Sequence, residues 1–353
     1  MANWKNAVLS EKDTMNRAVQ VLEENRVLGI VLVLDRDGRL TGTITDGDIR
    51  RALIRRCNMD TLVIDFMTTT PVVAAEFDSR DVIREKMVEH FISRIPVVNS
   101  DGKVIRVERN EYYSPRSERN NTVLLMAGGF GTRLYPLTKE KPKPLLEVGD
   151  KPILESILLQ FRNQGFSDFL ISIHYKAEMV KNYFGDGSDW DVTIRYLEEN
   201  QPMGTGGALG LIPQLDVHFP MIVINGDLLT NVDYGHLLEF HTQQQGMATV
   251  CVREYDLEVP YGVIEWTGNH INDIVEKPVH TFFINAGIYV LEEAFINNIS
   301  NEIPLDMTTI LRGKIEEGTL VTMFPLHEYW LDIGRFPEYK RAREDVANEF
   351  NFD

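Results

Sequence analysis

A chain of 353 residues is long enough for two separately packed domains, because single hydrophobic cores stop growing below that length. Apolar residues make up 43% and charged residues 25%, and no apolar run approaches the roughly 20 residues a membrane span needs, which argues against a helical membrane protein or a disordered chain. Acidic side chains outnumber basic ones by 53 to 36, and the resulting charge of −17 argues against nucleic-acid polymers as partners and requires any phosphate ligand to be captured locally.

The opening Met-Ala-Asn-Trp-Lys-Asn has no apolar segment, so a cytoplasmic location is expected. Cys57 and Cys251, the only cysteines, lie too far apart in sequence for a metal-site motif or a disulfide framework and are expected to be packing residues. From Val8 to Val107 the sequence reads as two similar units, each a helix with apolar spacing, a β-branched strand, a turn and a second strand. The first runs through Met15 to Asn25, Gly29 to Leu34, the turn Asp35-Arg36-Asp37-Gly38 and Leu40 to Thr45, with a helix after Asp48. The second runs through Val82 to His90, Ile95 to Val98, the turn Asn99-Ser100-Asp101-Gly102 and Val104 to Val107.

Residues 1–110 therefore form the first predicted domain, and the polar, proline-broken stretch 111–121 is the predicted linker. In 122–353, strands such as Thr122 to Ala127, Phe169 to His174 and Met221 to Asn225 alternate with helices such as Ile153 to Gln164 and Tyr234 to Gln244. That rhythm predicts an α/β fold with helices on both faces of a central sheet.

The apolar strand Val123 to Ala127 runs into Gly128-Gly129-Phe130-Gly131-Thr132-Arg133, whose glycines free the backbone to turn N–H groups toward an anion. A plain tight turn uses the same residues, so the neighbourhood decides. Ten residues after Arg133 comes Lys143 inside Lys141-Pro142-Lys143-Pro144-Leu145, where prolines limit where the ammonium points; a solvated basic loop is the alternative. Asp227 follows the apolar strand Met221 to Asn225, at the carboxyl end where open α/β sheets place ligands, although a turn-capping aspartate also fits.

The run Gly-Gly-Phe-Gly-Thr-Arg-Leu, then Pro136-Leu137-Thr138, then Lys-Pro-Lys-Pro-Leu resembles the signature of sugar-1-phosphate nucleotidyltransferases. Further motifs follow in that family's order: Pro202-Met203-Gly204-Thr205-Gly206-Gly207-Ala208, Asn225-Gly226-Asp227, Tyr261-Gly262-Val263, Glu276-Lys277-Pro278, Asn285-Ala286-Gly287-Ile288-Tyr289 and Trp330-Leu331-Asp332-Ile333-Gly334. The resemblance implies a Rossmann-like, GT-A-like domain with a mixed central sheet, in which Asp227 and Asp332 hold Mg²⁺ against a triphosphate. It assigns Lys143 to the reacting phosphates, Arg133 to the leaving pyrophosphate and Lys277 to the sugar phosphate, with Gly262, Glu276 and Asn285 orienting the sugar. Read without the resemblance, Glu276-Lys277 is a solvated surface pair and Asn285 closes a turn.

The nucleotide-binding set it implies is Ala127, Gly128, Gly129, Gly131, Thr132, Arg133, Glu198, Gly204, Thr205 and Gly206. An acidic side chain before Pro202 suits guanine's N1–H and amino group, so GTP is the preferred nucleotide, with related uridylyl, cytidylyl and thymidylyl enzymes as alternatives. Two other classes were weighed. A silent regulatory subunit would be expected to lose Lys143 or a metal ligand, and a nicotinamide dehydrogenase would carry a different glycine spacing.

In the front domain, Thr45-Asp46-Gly47-Asp48 resembles the end of a cystathionine-β-synthase-type (CBS) repeat, and two such repeats form an adenine-nucleotide-sensing pair, a tandem CBS (Bateman) module. The resemblance gives Asp48 to ribose hydroxyls and Thr45 to a phosphate; a helix N-cap explains Asp48 equally. The second repeat lacks the Thr-x-x-Asp pattern, so at most one ribose site is expected. A CBS pair in front of such an enzyme resembles the glucosamine-1-phosphate guanylyltransferases of bacterial nonulosonic acid pathways, such as legionaminic acid synthesis, and implies an amino-sugar 1-phosphate as acceptor and a homo-oligomer.

Overall fold

The computed structural model describes residues 4–25, 28–90, 92–109, 118–214, 216–297, 299 and 303–349. The chain divides into two compact units, 1–114 and 115–353. Most of the predicted linker, 111–117, lies outside the described residues. Its last part does not behave as a linker: Arg119 donates its backbone N–H to Gly165 O at 2.8 Å and its Nε to Gln164 O at 3.1 Å, so the second unit starts before Thr122.

The first unit repeats one motif. Val8–Leu9 pairs in parallel with Val31–Leu34, which pairs antiparallel with Leu40–Ile44; Ala74–Ala75, Arg94–Val98 and Val104–Arg109 repeat that order. The helices Met15–Glu24 and Arg80–Glu89 occupy matching places, and the first begins at Thr14, whose side chain caps Arg17 N. Even the turns match: Asp35 Oδ1 accepts from the N–H of Asp37 and Arg39 at 2.9 and 2.8 Å, and Asn99 Oδ1 from Asp101 and Lys103 at 3.1 and 2.9 Å. Reciprocal backbone bonds between Thr43 and Thr68 and a bond from Leu40 N to Gly102 O fasten one repeat to the other.

The second unit is built on a seven-stranded mixed sheet in the order Thr193–Glu198, Asp168–Ile173, Val123–Met126, Met221–Asn225, Val279–Leu291, Ala248–Glu258, Val321–Leu326. Its first four strands are parallel, and Val279–Leu291 runs antiparallel to both neighbours. Central strands buried on both faces read as unbroken apolar runs, which is why Val123-Leu124-Leu125 shows no alternation. Val123, Leu125, Ile222 and Ile224 pack on one face with the helix Ile153–Asn163, where Tyr234 stacks on Phe161 at 3.7 Å between ring centroids. Leu124, Leu170 and Val223 pack on the other with Met307 and Ile310 of the helix Met307–Glu316. Cys251 is buried in the first of these cores, and Cys57 is half-buried, both as free thiols.

Two departures from a plain open sheet place functional residues. Leu228–Thr230 pairs antiparallel with Trp330–Asp332, so that Leu228 faces Asp332. Beyond Arg253, where pairing with Leu326 ends, Ala248–Glu258 and Val279–Leu291 continue as a two-stranded ribbon. It bends at 259–261 and 277–278 and ends in the hairpin Gly262–Thr267 with His270–Glu276. Among the described residues no helix is long and apolar enough to cross a membrane.

Candidate active site

The strand Val123–Met126 ends at Ala127, whose N–H is held by Ser172 O at 2.9 Å, and the chain then turns through the glycines. Gly131 has φ +63°, and a Cβ there would lie 2.8 Å from Thr138 Cγ2 and 3.0 Å from Lys143 Cβ, so glycine is required both for backbone conformation and for close approach. Thr138 Oγ1 donates to Gly131 O at 3.0 Å, which fixes the loop against the Pro136-Leu137-Thr138 segment. Gly129 and Thr132 stay exposed, and a Cβ on Gly129 would meet nothing within 4 Å, leaving open space beside the backbone.

The prolines set Lys143 in a single turn, Lys143–Leu145, and bury it to 9% exposure, with Nζ donating a short bond to Asp227 Oδ2. A solvated basic loop is thereby ruled out. Asp227 sits where Met221–Asn225 leaves the sheet: Gly226 N donates to Met126 O at 2.8 Å, and Asp227 O accepts from Ile333 N at 2.9 Å. That last bond, with the small sheet beside it, brings Asp332 to Asp227 across 105 positions of sequence (332 − 227).

Asp332 Oδ1 is buried and has no hydrogen-bond partner among the described residues. Burial first, then the charge of Asp227, pushes the Asp332 carboxyl above the usual carboxylate range, while Lys143 and Arg133 pull the other way. An unpartnered buried carboxylate oxygen costs about 1–3 kcal/mol or more and calls for a missing cation. Two neighbouring carboxylates with oxygens alone to offer fit a hard divalent ion such as Mg²⁺. Arg133 is exposed, with Nη1 3.6 Å from where a Cβ on Gly334 would stand and Asp332 Oδ1 3.5 Å from the same point.

The two acidic residues before Pro202 stand in different surroundings. Glu198 is exposed and pairs with Lys181 of the helix Ala177–Phe184 at 2.8 Å, so it is already committed on the outside of the sheet. The next residue points the other way. Glu199 is 8% exposed, and its Oε1 would lie 2.7 Å from a Cβ on Gly128. Ser172 Oγ donates to Oε1 and Met203 N to Oε2 at 2.9 Å, which leaves each oxygen a lone pair. Strand alternation is the signal that separates the two, since Leu197 and Glu199 are buried and Glu198 points out.

Gly204 and Thr205 are exposed and Gly206 is buried, and all three contact the segment 305–310. A Cβ on Gly204 would lie 2.7 Å from Leu305 O, Thr205 Oγ1 accepts from Met307 N at 3.0 Å, and Gly206 N donates to Leu305 O at 2.9 Å. These contacts anchor the segment at the start of the helix Met307–Glu316.

On the arm, Gly262 pairs with Glu276, and a Cβ on Gly262 would come within 3.0 Å of Glu276 Oε2, so both belong to one face. Lys277 adopts φ +48° at the bend, a conformation that costs a non-glycine residue about 1–3 kcal/mol and is found at functional positions. Glu276 and Lys277 are both exposed, and no ion pair joins them among the described residues, so the reading as a solvated surface pair still stands beside the functional one. Asn285 stands at the root of the ribbon: its Oδ1 accepts from Gly287 N at 2.9 Å and its Nδ2 donates to Tyr289 OH at 2.9 Å. It closes a turn, with one N–H and one lone pair still available for a ligand. No described contact joins Glu276 or Lys277 to the glycine loop; the arm and the sheet carry separate halves of the predicted set.

In the front unit, Thr45 caps the helix Asp46–Ile54, with Asp48 one turn in rather than at the cap itself. Asp48, 4% exposed, accepts from Thr45 N, Thr45 Oγ1, Arg51 Nη2 and Thr68 Oγ1 at 2.6–2.8 Å. All of its roughly four acceptor positions are occupied, so a ribose would have to displace one of these donors.

Residues 122–349 match the nucleotidyl transferase family, and residues 4–55 and 63–107 match the CBS domain. The chain is 35% identical over 223 residues to a mannose-1-phosphate guanyltransferase of Pichia angusta, covering 60% of each chain. It is 31% identical over 224 residues to the mannose-1-phosphate guanyltransferase of Schizosaccharomyces pombe, covering 61% of each, so the match spans about three-fifths of these relatives' length. The crystal structure of HddC from Yersinia pseudotuberculosis complexed with GMP-PN superposes with a TM-score of 0.52 at 27% identity, covering 64% of this chain and 99% of that one. With the glycine loop, Lys143 and the carboxylate pair assembled on a matching fold, this chain belongs to the nucleotidyl transferase family and carries a pair of CBS domains in front of the transferase fold.

Proposed function

We propose that this protein transfers a nucleoside monophosphate, preferentially from GTP, to a sugar 1-phosphate, giving a nucleotide sugar and pyrophosphate. The observation that carries the reading is the convergence of Lys143, Asp227 and the unpartnered, buried Asp332 oxygen beside the glycine loop. In the reaction a phosphate oxygen of the sugar phosphate attacks the α-phosphorus in line. The bond from that phosphorus to the bridging oxygen breaks, and its electrons leave with pyrophosphate. No covalent enzyme intermediate is needed, so the protein's contribution is positioning and charge stabilisation.

Asp227 and Asp332 would hold Mg²⁺, which when bound neutralises charge on the triphosphate. Lys143, held beside Asp227 in the free protein, turns to the phosphates, and the exposed Arg133 meets the departing pyrophosphate. Glu199 offers its two remaining lone pairs to the adjacent N1–H and amino donors of guanine, which favours GTP over nucleotides whose bases lack that pair of donors. Lys277, Glu276 and Gly262 receive the sugar phosphate.

The domain order supports an amino-sugar 1-phosphate as acceptor. Mannose 1-phosphate is the second reading, favoured by the names of the relatives. An adenine nucleotide at the CBS pair is the proposed effector, and the setting is cytoplasmic. The test is pyrophosphate release with Mg²⁺ across GTP, UTP, CTP, ATP and dTTP, each against glucosamine, mannose and other hexose 1-phosphates. Release confined to GTP supports the proposal; equal release with UTP removes the role given to Glu199, and no release with any pair removes the proposal itself.

A further inference from the structure

Where the strand Asp168–Ile173 leaves the sheet, consecutive residues grip Glu199 at separate points. Ile173 O accepts from Glu199 N at 3.0 Å, Ser172 Oγ donates to the Glu199 carboxylate, and His174 Nδ1 meets Glu199 O at 2.8 Å. A carbonyl oxygen only accepts, so Nδ1 carries the proton and the bond assigns the tautomer. The pairing of Asp168–Ile173 with Thr193–Glu198 ends one residue earlier. A side-chain donor thus takes over at the point where the backbone ladder stops.

The same short segment holds the glycine loop. Ser172 O accepts from Ala127 N at 2.9 Å, and Tyr175 OH donates to Thr138 O at 3.4 Å. The ring of Phe130 stands edge-on to His174 at 5.6 Å and tilted against Tyr175 at 5.5 Å between centroids. Phe130 is 45% exposed, so these rings, and not a core, fix its place in the loop. His174 therefore touches Glu199 on one side and the glycine loop on the other. Because His174 is itself half-buried, water could satisfy the Glu199 carbonyl in its stead. Water could not fix the direction in which Glu199 departs from the sheet.

We infer that His174 is a positioning residue for base selection: by holding the Glu199 main chain against the glycine loop it aims the carboxylate. The inference rests on the reading of Glu199 as the residue that meets guanine. The hypoxanthine base of ITP keeps N1–H but lacks the neighbouring amino group, so preference for GTP over ITP reports that aim.

The experiment is calorimetric binding of GTP and of ITP to the full chain with Mg²⁺, which needs no acceptor sugar and is read independently of the reaction. A hydrogen bond to a charged acceptor changes affinity by about tenfold or more, and the wild type is expected to prefer GTP by that factor. His174→Ala should reduce the preference to about threefold or less. His174→Asn, whose amide N–H can replace Nδ1–H, should restore it. In a Glu199→Gln background, His174→Ala should change the preference no further, because both residues act through one contact. A preference that survives His174→Ala overturns the inference and leaves Glu199 in its role. So does a loss that His174→Asn fails to restore, or an equal loss in the Glu199→Gln background. A wild type that binds GTP and ITP alike, or neither, overturns the role of Glu199 and this inference with it. The two His174 variants are expected to melt at the same temperature, and a loss of preference that merely tracks a fall in melting temperature overturns the inference as well.

Discussion

Lys143 bonds Asp227, while the neighbouring Asp332 keeps a buried oxygen with no hydrogen-bond partner among the described residues. Two unit charges about 4 Å apart interact by roughly 4 kcal/mol at an effective dielectric of about 20 before desolvation, and about 1.4 kcal/mol is tenfold in rate. Lys143→Ala should therefore lower turnover by about a hundredfold or more, measured as pyrophosphate release at saturating substrates. Asp332→Asn removes a carboxylate that burial and Asp227 already disfavour. The variant should melt a few degrees higher than the wild type in EDTA, yet gain nothing on addition of Mg²⁺ and nucleotide. Glu199→Gln should raise KM for GTP about tenfold or more, because a donor amide then faces a donor on the base. The sequence made Lys143, Asp227 and Asp332 legible through their motifs. It made Glu199 visible only through strand alternation, since two adjacent glutamates are indistinguishable by motif and opposite in direction.

At the level of elements, the helix Tyr234–Gln244 carries a polar cluster that the sequence does not announce. His241 is 1% exposed, and its ring nitrogens meet Thr249 Oγ1 at 2.8 Å and Glu292 Oε1 at 3.2 Å, while Thr249 in turn meets Thr322 Oγ1 at 2.8 Å. A histidine on an apolar helix face is silent in sequence about which strands it ties together. Here it ties the helix to Ala248–Glu258 and, through Thr249, to Val321–Leu326. Burial lowers its pKa, and Glu292 only partly restores it. A depressed folded-state value means that the neutral form is the one the fold accepts. Its stabilisation is fully present above the unfolded value of about 6.5 and is lost as pH falls through the lower folded value. Urea unfolding from pH 7.5 to 5 should show that loss, and His241→Gln should flatten the pH dependence while starting from a lower stability. The repeat structure of the front unit, in contrast, was readable almost residue by residue, because strand and turn chemistry are local. What was not legible there is the bond from Thr68 to Asp48, 20 positions away in sequence.

For the whole molecule, the two cores that flank the mixed sheet are drawn entirely from residues beyond Pro115. A chain of residues 115–353 should fold alone, unfold in a single cooperative transition, and release pyrophosphate at a rate within about threefold of the uninhibited full chain. Loss of all activity in that fragment would make the front unit part of the catalytic machinery. The division into a repeat unit and a mixed-sheet unit was legible from the change of rhythm along the chain. The seven-strand order and the pairing of Leu228 with Asp332 were not, because they depend on contacts between segments about a hundred positions apart.

The ribbon beyond Arg253 shares no buried side chain with either core, so its local opening is decoupled from unfolding of the sheet. The two halves of the predicted site therefore live on different clocks. The carboxylates and Lys143 are held for as long as the domain survives, while Glu276 and Lys277 ride on a segment that can open without unfolding the sheet. Under the proposed function, that difference predicts an order of substrate arrival: nucleotide first on the rigid half, then sugar phosphate on the arm.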